Sequence, residues 1–137
     1  MAYNLLKGKK GIIFGALNEQ SIAWQVALKA YEEVAQILLT NTNAALRMGK
    51  THELAKKINA EIVPADAINL EDLENLIKKA LEYFNGKFDF LLHSIAMSMN
   101  VRKGLPYESL NYDYFIKTLD ISALSFHKIL STCWKYD

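Results

Sequence analysis

The residues with the clearest chemical potential form a short loop that carries one glycine and one serine. Residues 11–14 are apolar and predict a buried strand, Gly15 permits a sharp turn, and Ser21 stands where a helix begins. The unpaired N–H groups and the positive dipole end of a helix N-terminus favour a phosphate. A strand, a tight loop and a helix in this order form the pyrophosphate site of a Rossmann-type fold. The loop therefore predicts dinucleotide binding.

Metal and nucleophile chemistry lack a supporting motif. The three histidines are scattered, and Cys133 is the only cysteine, so neither a metal site nor an internal disulfide is expected. No Ser-His-Asp or Cys-His arrangement has a motif around it. We expect His93 to be packed at a strand end, and His52 and His127 to lie on helix surfaces.

Length and composition bound the class of protein. The chain has 137 residues, which suffices for one domain, and its net charge of +1 argues against a nucleic-acid partner. Residues 1–10 lack a long apolar core and no apolar run reaches membrane-spanning length, so we expect neither a signal peptide nor a membrane-spanning segment. We expect a globular protein without a membrane partner, located in the cytoplasm.

Apolar runs alternate with segments of helical periodicity along the chain. The predicted strands and helices, in chain order, are residues 11–14, 21–33, 35–40, 44–58, 61–64, 70–84, 88–95 and 111–136. Uninterrupted apolar strands between helices indicate an α/β fold with a parallel sheet and helices on both faces. Right-handed crossovers then predict the strand order 3-2-1-4.

The predicted last helix, residues 111–136, has apolar residues around most of its circumference. Packing on the chain's own sheet explains about half of them, because a helix facing one core has a single apolar stripe. Burial on two sides predicts a homo-oligomer that associates through this helix.

Four segments together resemble the enoyl-acyl-carrier-protein reductases of bacterial fatty-acid synthesis, within the short-chain dehydrogenase superfamily. They are residues 15–23 (GALNEQSIA), 66–67 (DA), 93–96 (HSIA) and 119–122 (LDIS). Each stands after a predicted strand or in the adjoining helix, and the resemblance runs over essentially the whole chain. It implies a single dinucleotide-binding domain over residues 1–137, incomplete relative to that family.

The resemblance implies where the first part of a cofactor binds. Four loop residues hold the pyrophosphate: Gly15, Ala16, Ser21 and Ile22. Asp66 and Ala67 hold the adenine, since a carboxylate accepts the adenine amino proton and a backbone N–H serves a ring nitrogen. Each of two residues also has an alternative role. Gly15 could serve only the turn, and Asp66 could serve only the start of the following helix.

The resemblance also implies a nicotinamide end. Ser94, Ile95 and Ala96 border the nicotinamide ribose, and Ile121 lies against the cofactor from the last helix. Met97 is expected next to the substrate, although packing in the loop explains it equally well.

The implied activity is reduction of trans-2-enoyl-acyl-carrier-protein by a nicotinamide cofactor, with this chain supplying the cofactor-binding portion. The family's catalytic tyrosine and lysine lie on a later helix. Tyr3 and Lys10 have their spacing but precede the first strand, so no catalytic residue is assigned. The alternatives are a non-catalytic nucleotide-binding or interaction module and an inactive fragment.

The residues alone do not decide between NADH and NADPH. The second strand ends in Thr40, Asn41 and Thr42, without the acidic residue that usually repels a 2′-phosphate, and Arg47 follows one turn later. The resemblance favours NADH.

The sequence departs from the family at three positions that usually carry glycine: Gln25, Val34 and Ala96. The Gln25 side chain must point away from the sheet, and Ala96 adds a methyl group beside the nicotinamide site. Val34 stands where a helix ends, and a left-handed conformation there costs a β-branched residue about 1–2 kcal/mol.

Overall fold

The computed structural model describes residues 1–136, and its four strands form one parallel sheet. The strands are β1 (Lys10–Phe14), β2 (Gln36–Thr40), β3 (Glu61–Ile62) and β4 (Phe90–His93). Their order is β3-β2-β1-β4, which confirms the predicted α/β fold and strand order. Phe14 pairs with Thr40 on one side and with His93 on the other, so three strands end at the same level.

The helices cover both faces of this sheet. They are α1 (Ile22–Glu32), α2 (Asn43–Met48), α3 (Thr51–Lys57), α4 (Leu70–Tyr83), α5 (Met99–Arg102), α6 (Tyr112–Leu119) and α7 (Ser125–Trp134). A 3₁₀ turn lies at Tyr107–Ser109, and a π-helical turn at Asp120–Leu124 joins α6 to α7. Within residues 1–136, no helix combines the length and apolar character needed to cross a bilayer.

The core has one layer on each face because successive strand residues point to opposite sides. Ile12 and Phe14 pack with residues of α4 and α7, including Ile129. Ile13 packs with Trp24 of α1 and with residues of α3. The strands read as continuous apolar runs because both faces are covered.

The prediction of a single helix over residues 44–58 is wrong, since α2 ends before Gly49 and α3 begins at Thr51. The backbone of Gly49 lies against the loop after β1, where a Cβ atom would stand 2.6 Å from the Leu17 carbonyl oxygen. Lys50 donates its N–H to that same oxygen at 2.7 Å. This tertiary contact competes with helical continuation and breaks the helix.

The predicted last helix is also not uniform, because the π turn interrupts it. A π turn leaves part of the α-helical hydrogen-bond ladder unpaired. The Ser125 hydroxyl supplies one replacement, donating to the Ile121 carbonyl at 2.6 Å.

The end of α1 has the strained geometry expected at Val34. Its φ is +69°, and a Schellman pattern is formed by Val34 N–H to Tyr31 O at 2.9 Å and Ala35 N–H to Ala30 O at 3.0 Å. The other helix ends with this pattern carry residues that tolerate the conformation: Asn59, Asn85 and Gly104. Val34 is therefore the one β-branched residue among these four helix ends, and it is the residue that the positive φ strains.

Two strands are shorter than predicted. Strand β3 keeps only Glu61–Ile62 of residues 61–64, and β4 only Phe90–His93 of residues 88–95. Within the described sheet, β4 pairs with β1 alone and all four of its residues remain partly accessible. The chain after each short strand is thereby free to turn away and line a groove.

Candidate functional site

A groove of about 460 Å³ lies at the carboxyl ends of the parallel strands. In an open α/β sheet this edge, where the strand order reverses, is the usual place for ligands. Residues following all four strands line it, together with residues of α6 and the π turn: Phe14, Gly15, Leu17, Asn41, Thr42, Ala45, Ala65, Asp66, Ala67, Ile68, Ser94, Ile95, Ala96, Met97, Met99, Lys117 and Ile121.

Eight of the eleven predicted site residues therefore lie in one groove, although they come from distant parts of the sequence. They are Gly15, Asp66, Ala67, Ser94, Ile95, Ala96, Met97 and Ile121. The other three do not line it with their side chains. Ala16 is 1% exposed and Ile22 is 72% exposed, while Ser21 stands between them at the start of α1.

Gly15 is required by two features of its backbone. Its φ is +97°, a conformation that side chains other than glycine rarely adopt. A Cβ atom there would also collide with the carbonyl oxygen of Ser94. Gly15 therefore permits both the turn and the close approach of the β4 end, and its role in pyrophosphate binding stays a prediction.

The Ser21 hydroxyl shapes the loop that precedes α1. It accepts the N–H groups of Leu17 at 3.1 Å and Asn18 at 3.0 Å, so its own proton remains available to a ligand. At the first turn of α1, the N–H groups of Ile22 and Ala23 have no acceptor among the described residues. These three donors suit the phosphate oxygens of a dinucleotide.

The Ala16 carbonyl is fixed by two side chains that sequence reasoning did not anticipate. Thr51 is completely buried and donates its hydroxyl to this oxygen at 2.7 Å, and the Asn41 amide donates at 3.4 Å. These contacts hold the loop after β1 against α3. The sequence signal was a threonine two residues after Gly49, which could be interpreted only once the helix break was known.

Asp66 is held so that its carboxylate stays at the groove. Its N–H is accepted by Asp72 Oδ2 at 2.9 Å, and its own Oδ1 accepts the Ile68 N–H at 3.1 Å. The Ile68 carbonyl in turn accepts Lys128 Nζ at 3.4 Å. One carboxylate oxygen thus serves a local turn ahead of α4, whose N-cap is Asn69. The binding of adenine by the other oxygen stays a prediction.

The segment after β4 is fastened to the π turn by Ser122. The Ser122 hydroxyl accepts the Met97 N–H at 3.1 Å and donates to the Met97 carbonyl at 3.3 Å. Because Ile121 and Met97 both line the groove, this serine joins two of its walls.

His93 is packed at the end of β4, as the sequence indicated. Its Nε2 lies 2.8 Å from the Ser125 hydroxyl, and its ring meets Phe126 edge-on at 5.5 Å between centroids. The Ser125 proton is directed to the Ile121 carbonyl, so we assign the proton of this contact to His93 Nε2. His93 is occupied in packing and does not line the groove.

Two departures from the glycine pattern are accommodated. The Gln25 side chain points away from the sheet as predicted and donates to the Glu19 carbonyl at 2.7 Å, which closes the loop before α1. Ala96 is exposed in the groove wall. Neither substitution blocks the groove.

The end of β2 is polar and uncharged. Asn41 and Thr42 line the groove, but Asn41 Oδ1 accepts the Thr42 N–H and Thr42 Oγ1 accepts the Ala45 N–H. Arg47 lines a separate depression beside His52 instead. The groove therefore has neither the carboxylate that repels a 2′-phosphate nor this arginine to attract one.

Across residues 1–136, no group of three or more histidine, cysteine or acidic side chains is arranged to hold a metal ion. Lys117 of α6 also lies in the groove wall, although the sequence did not predict it there. The one sequence signal for its position was the spacing to Ile121, because residues four apart lie on the same face of a helix.

The sheet order and the groove at its carboxyl edge define a Rossmann-type fold. A family model described as enoyl-(acyl carrier protein) reductase matches residues 15–136, so the chain belongs to that family. The chain resembles "Enoyl-[acyl-carrier-protein] reductase [NADH] 1" of Rhizobium meliloti, with 36% identity over 127 residues. That match covers 91% of this chain and 46% of the relative.

Solved structures show the same likeness. The FabI–NADH complex from Alistipes finegoldii shares 65% identity and superposes with a TM-score of 0.96, over 98% of this chain and 48% of that one. The Anaplasma phagocytophilum reductase in complex with NAD shares 27% identity, with a TM-score of 0.83 over 96% of this chain and 50% of that one. The chain spans about half the length of these relatives.

Proposed function

We propose that this chain is the NADH-binding portion of an enoyl-acyl-carrier-protein reductase. One observation carries the proposal: the groove gathers the ends of all four strands around a glycine whose positive φ and close approach to Ser94 disfavour any side chain. The Alistipes finegoldii relative, similar over almost the whole chain, holds NADH. The domain spans residues 1–137 and is one part of the enzyme.

In this proposal the pyrophosphate binds at the start of α1. The N–H groups of Ile22 and Ala23 and the Ser21 hydroxyl donate to its oxygens, and the turns at Gly15 and Ala16 leave room for it. The free oxygen of Asp66 accepts the adenine amino group, and the Ala67 backbone faces a ring nitrogen.

The nicotinamide end extends along the segment after β4. Ser94, Ile95 and Ala96 border its ribose, while Ile121 packs against the cofactor from the π turn. Met97, at the end of this segment, is placed next to the substrate.

Held in this groove, NADH would supply the hydride that the β-carbon of a trans-2-enoyl thioester takes up, with a solvent proton completing the reduction at the α-carbon. This chain's residues orient the cofactor for that step, and none of them is assigned as catalytic. NADH is the proposed cofactor because Arg47 lies outside the groove. NADPH binding is the alternative, since no carboxylate at the end of β2 repels it.

The partner in the proposed reaction is an enoyl thioester on acyl carrier protein. We also propose a homo-oligomer that associates through the last helical segment, because its large apolar side chains remain accessible: Phe115, Ile116, Leu119, Leu124, Phe126, Leu130 and Trp134. A cytoplasmic location and the lack of a nucleic-acid partner stay predictions.

A fluorescence titration of the chain with NADH, and with NADPH for comparison, tests the proposal. We expect saturable binding of NADH that is tighter than binding of NADPH. Failure of the folded chain to bind either dinucleotide would contradict the proposal. Binding without turnover of a crotonyl thioester fits a cofactor-binding portion, whereas turnover by this chain alone would contradict the assignment of no catalytic residue.

A further inference from the structure

Two charged side chains line the described walls of the cofactor groove, Asp66 and Lys117. Lys117 lies on α6, and Ile121, a second lining residue, follows it by four positions. Residues at this spacing share one face of a helix. The Lys117 stem and the Ile121 side chain therefore form one wall of the groove.

The Lys117 ammonium has neither a hydrogen bond nor an ion pair with any residue from 1 to 136. Asp113 and Asp120 are the acidic residues within one turn of it on the same helix. Asp120 is already paired with Lys128 at 2.7 Å, and Asp113 is exposed without pairing to Lys117. The positive charge is thus available to a ligand in the groove.

A dinucleotide brings two phosphate charges into this groove. The loop after β1 offers these phosphates only partial positive charges, from backbone N–H groups and a hydroxyl. Asp66 adds a charge of the same sign as the phosphates. Lys117 is the one cationic side chain among the described lining residues.

We propose that Lys117 is a further cofactor-binding residue, whose ammonium binds the anionic diphosphate portion of the dinucleotide from the α6 wall. This inference rests on the proposed function. A long-stemmed lysine suits the role because its methylene groups pack along the apolar wall while the charged end reaches the ligand.

The test compares the dissociation constants of three variants with that of the wild-type chain. Lys117→Met keeps an unbranched side chain and removes the charge, and Lys117→Arg keeps the charge. Lys79→Met is the matched control, because Lys79 is an exposed lysine of α4 that does not line the groove. The ligands are NADH and ADP-ribose, which carry the diphosphate, and adenosine, which does not.

We expect Lys117→Met to weaken the binding of NADH and ADP-ribose about fivefold at low salt, as for one charge pair in a water-like dielectric. The difference should shrink as salt rises. Adenosine binding should not change, and Lys117→Arg and Lys79→Met should bind like the wild type.

Wild-type affinity of Lys117→Met for NADH would overturn this inference and leave the proposed function intact. Equal weakening for NADH and adenosine would also overturn it, because the lysine would then act on the adenosine and not on the charge. Absence of NADH binding by the folded wild-type chain would overturn the proposed function, and the inference with it.

Discussion

The backbone of Gly15 approaches the carbonyl group of Ser94 so closely that no Cβ atom fits between them. This contact joins the loop after β1 to the segment after β4, so it fixes the distance between the proposed pyrophosphate site and the proposed nicotinamide site. The Gly15 N–H also donates to the Thr40 carbonyl at 3.3 Å, which adds the end of β2 to the same junction.

Gly15→Ala should lower the free energy of unfolding by about 2–4 kcal/mol, because the positive φ and the collision with Ser94 add together. It should also abolish saturable NADH binding. Gly8→Ala is the control: its φ is +77°, but nothing lies within 4 Å of the added Cβ atom. The control should lose about 1–2 kcal/mol. Equal losses in denaturant melts would contradict the close-approach argument.

Val34→Asn should stabilise the chain by about 1 kcal/mol, since asparagine tolerates the left-handed conformation at the end of α1. The converse change, Asn85→Val, places valine at the matching position after α4 and should destabilise by a similar amount. Thermal and urea melts of both variants check the prediction. If Val34→Asn melts below the wild type, the left-handed conformation of Val34 does not destabilise the wild-type chain.

Ser122→Ala should loosen the segment after β4 and weaken NADH binding, because both hydrogen bonds to the Met97 backbone are lost. We expect amide exchange at Met97 to accelerate about fivefold, the effect of one hydrogen bond of about 1 kcal/mol. Thr118→Val is the matched control, because the Thr118 hydroxyl bonds only within α6, to the Tyr114 carbonyl at 2.8 Å. Unchanged exchange at Met97 in Ser122→Ala would show that Ser122 does not hold the segment after β4 in place.

Burial raises the pKa of the Cys133 thiol above that of an exposed cysteine, since the thiolate is desolvated on α7. A raised pKa means less thiolate at any given pH, so alkylation should reach its half-maximal rate at higher pH than in the unfolded chain. Rates of iodoacetamide labelling against pH, in buffer and in guanidinium chloride, measure the two midpoints. Coinciding midpoints would show that the folded thiol is not desolvated.

The strand order and much of the groove follow from local sequence signals. Continuous apolar runs and helical periodicity predict that strands and helices alternate. The right-handed crossover between parallel strands then predicts the strand order. Gly15, Asp66 and Ser94 each follow a strand, and the carboxyl ends of parallel strands meet at one edge. Their convergence in the groove could therefore be predicted without the structure.

The features that sequence reasoning missed depend on contacts between distant segments. The break at Gly49 arises from the loop at Leu17, and the buried position of Thr51 follows from that break. The π turn coincides with a contact between distant segments, the Ser122 hydroxyl bonded to the Met97 backbone. Hydrophobic periodicity describes one helix at a time, so it carries no information about contacts with distant segments of the chain.

An amide-resolved NMR titration of the isotopically labelled chain with NADH tests the central claim most directly. The account predicts saturable shifts at Gly15, Ile22, Ala67 and Ser94, with none at Cys133, which lines a separate apolar depression between α4 and α7. Shifts confined to that depression, or none at saturating NADH with a folded spectrum, would contradict the assignment of the groove as the cofactor site.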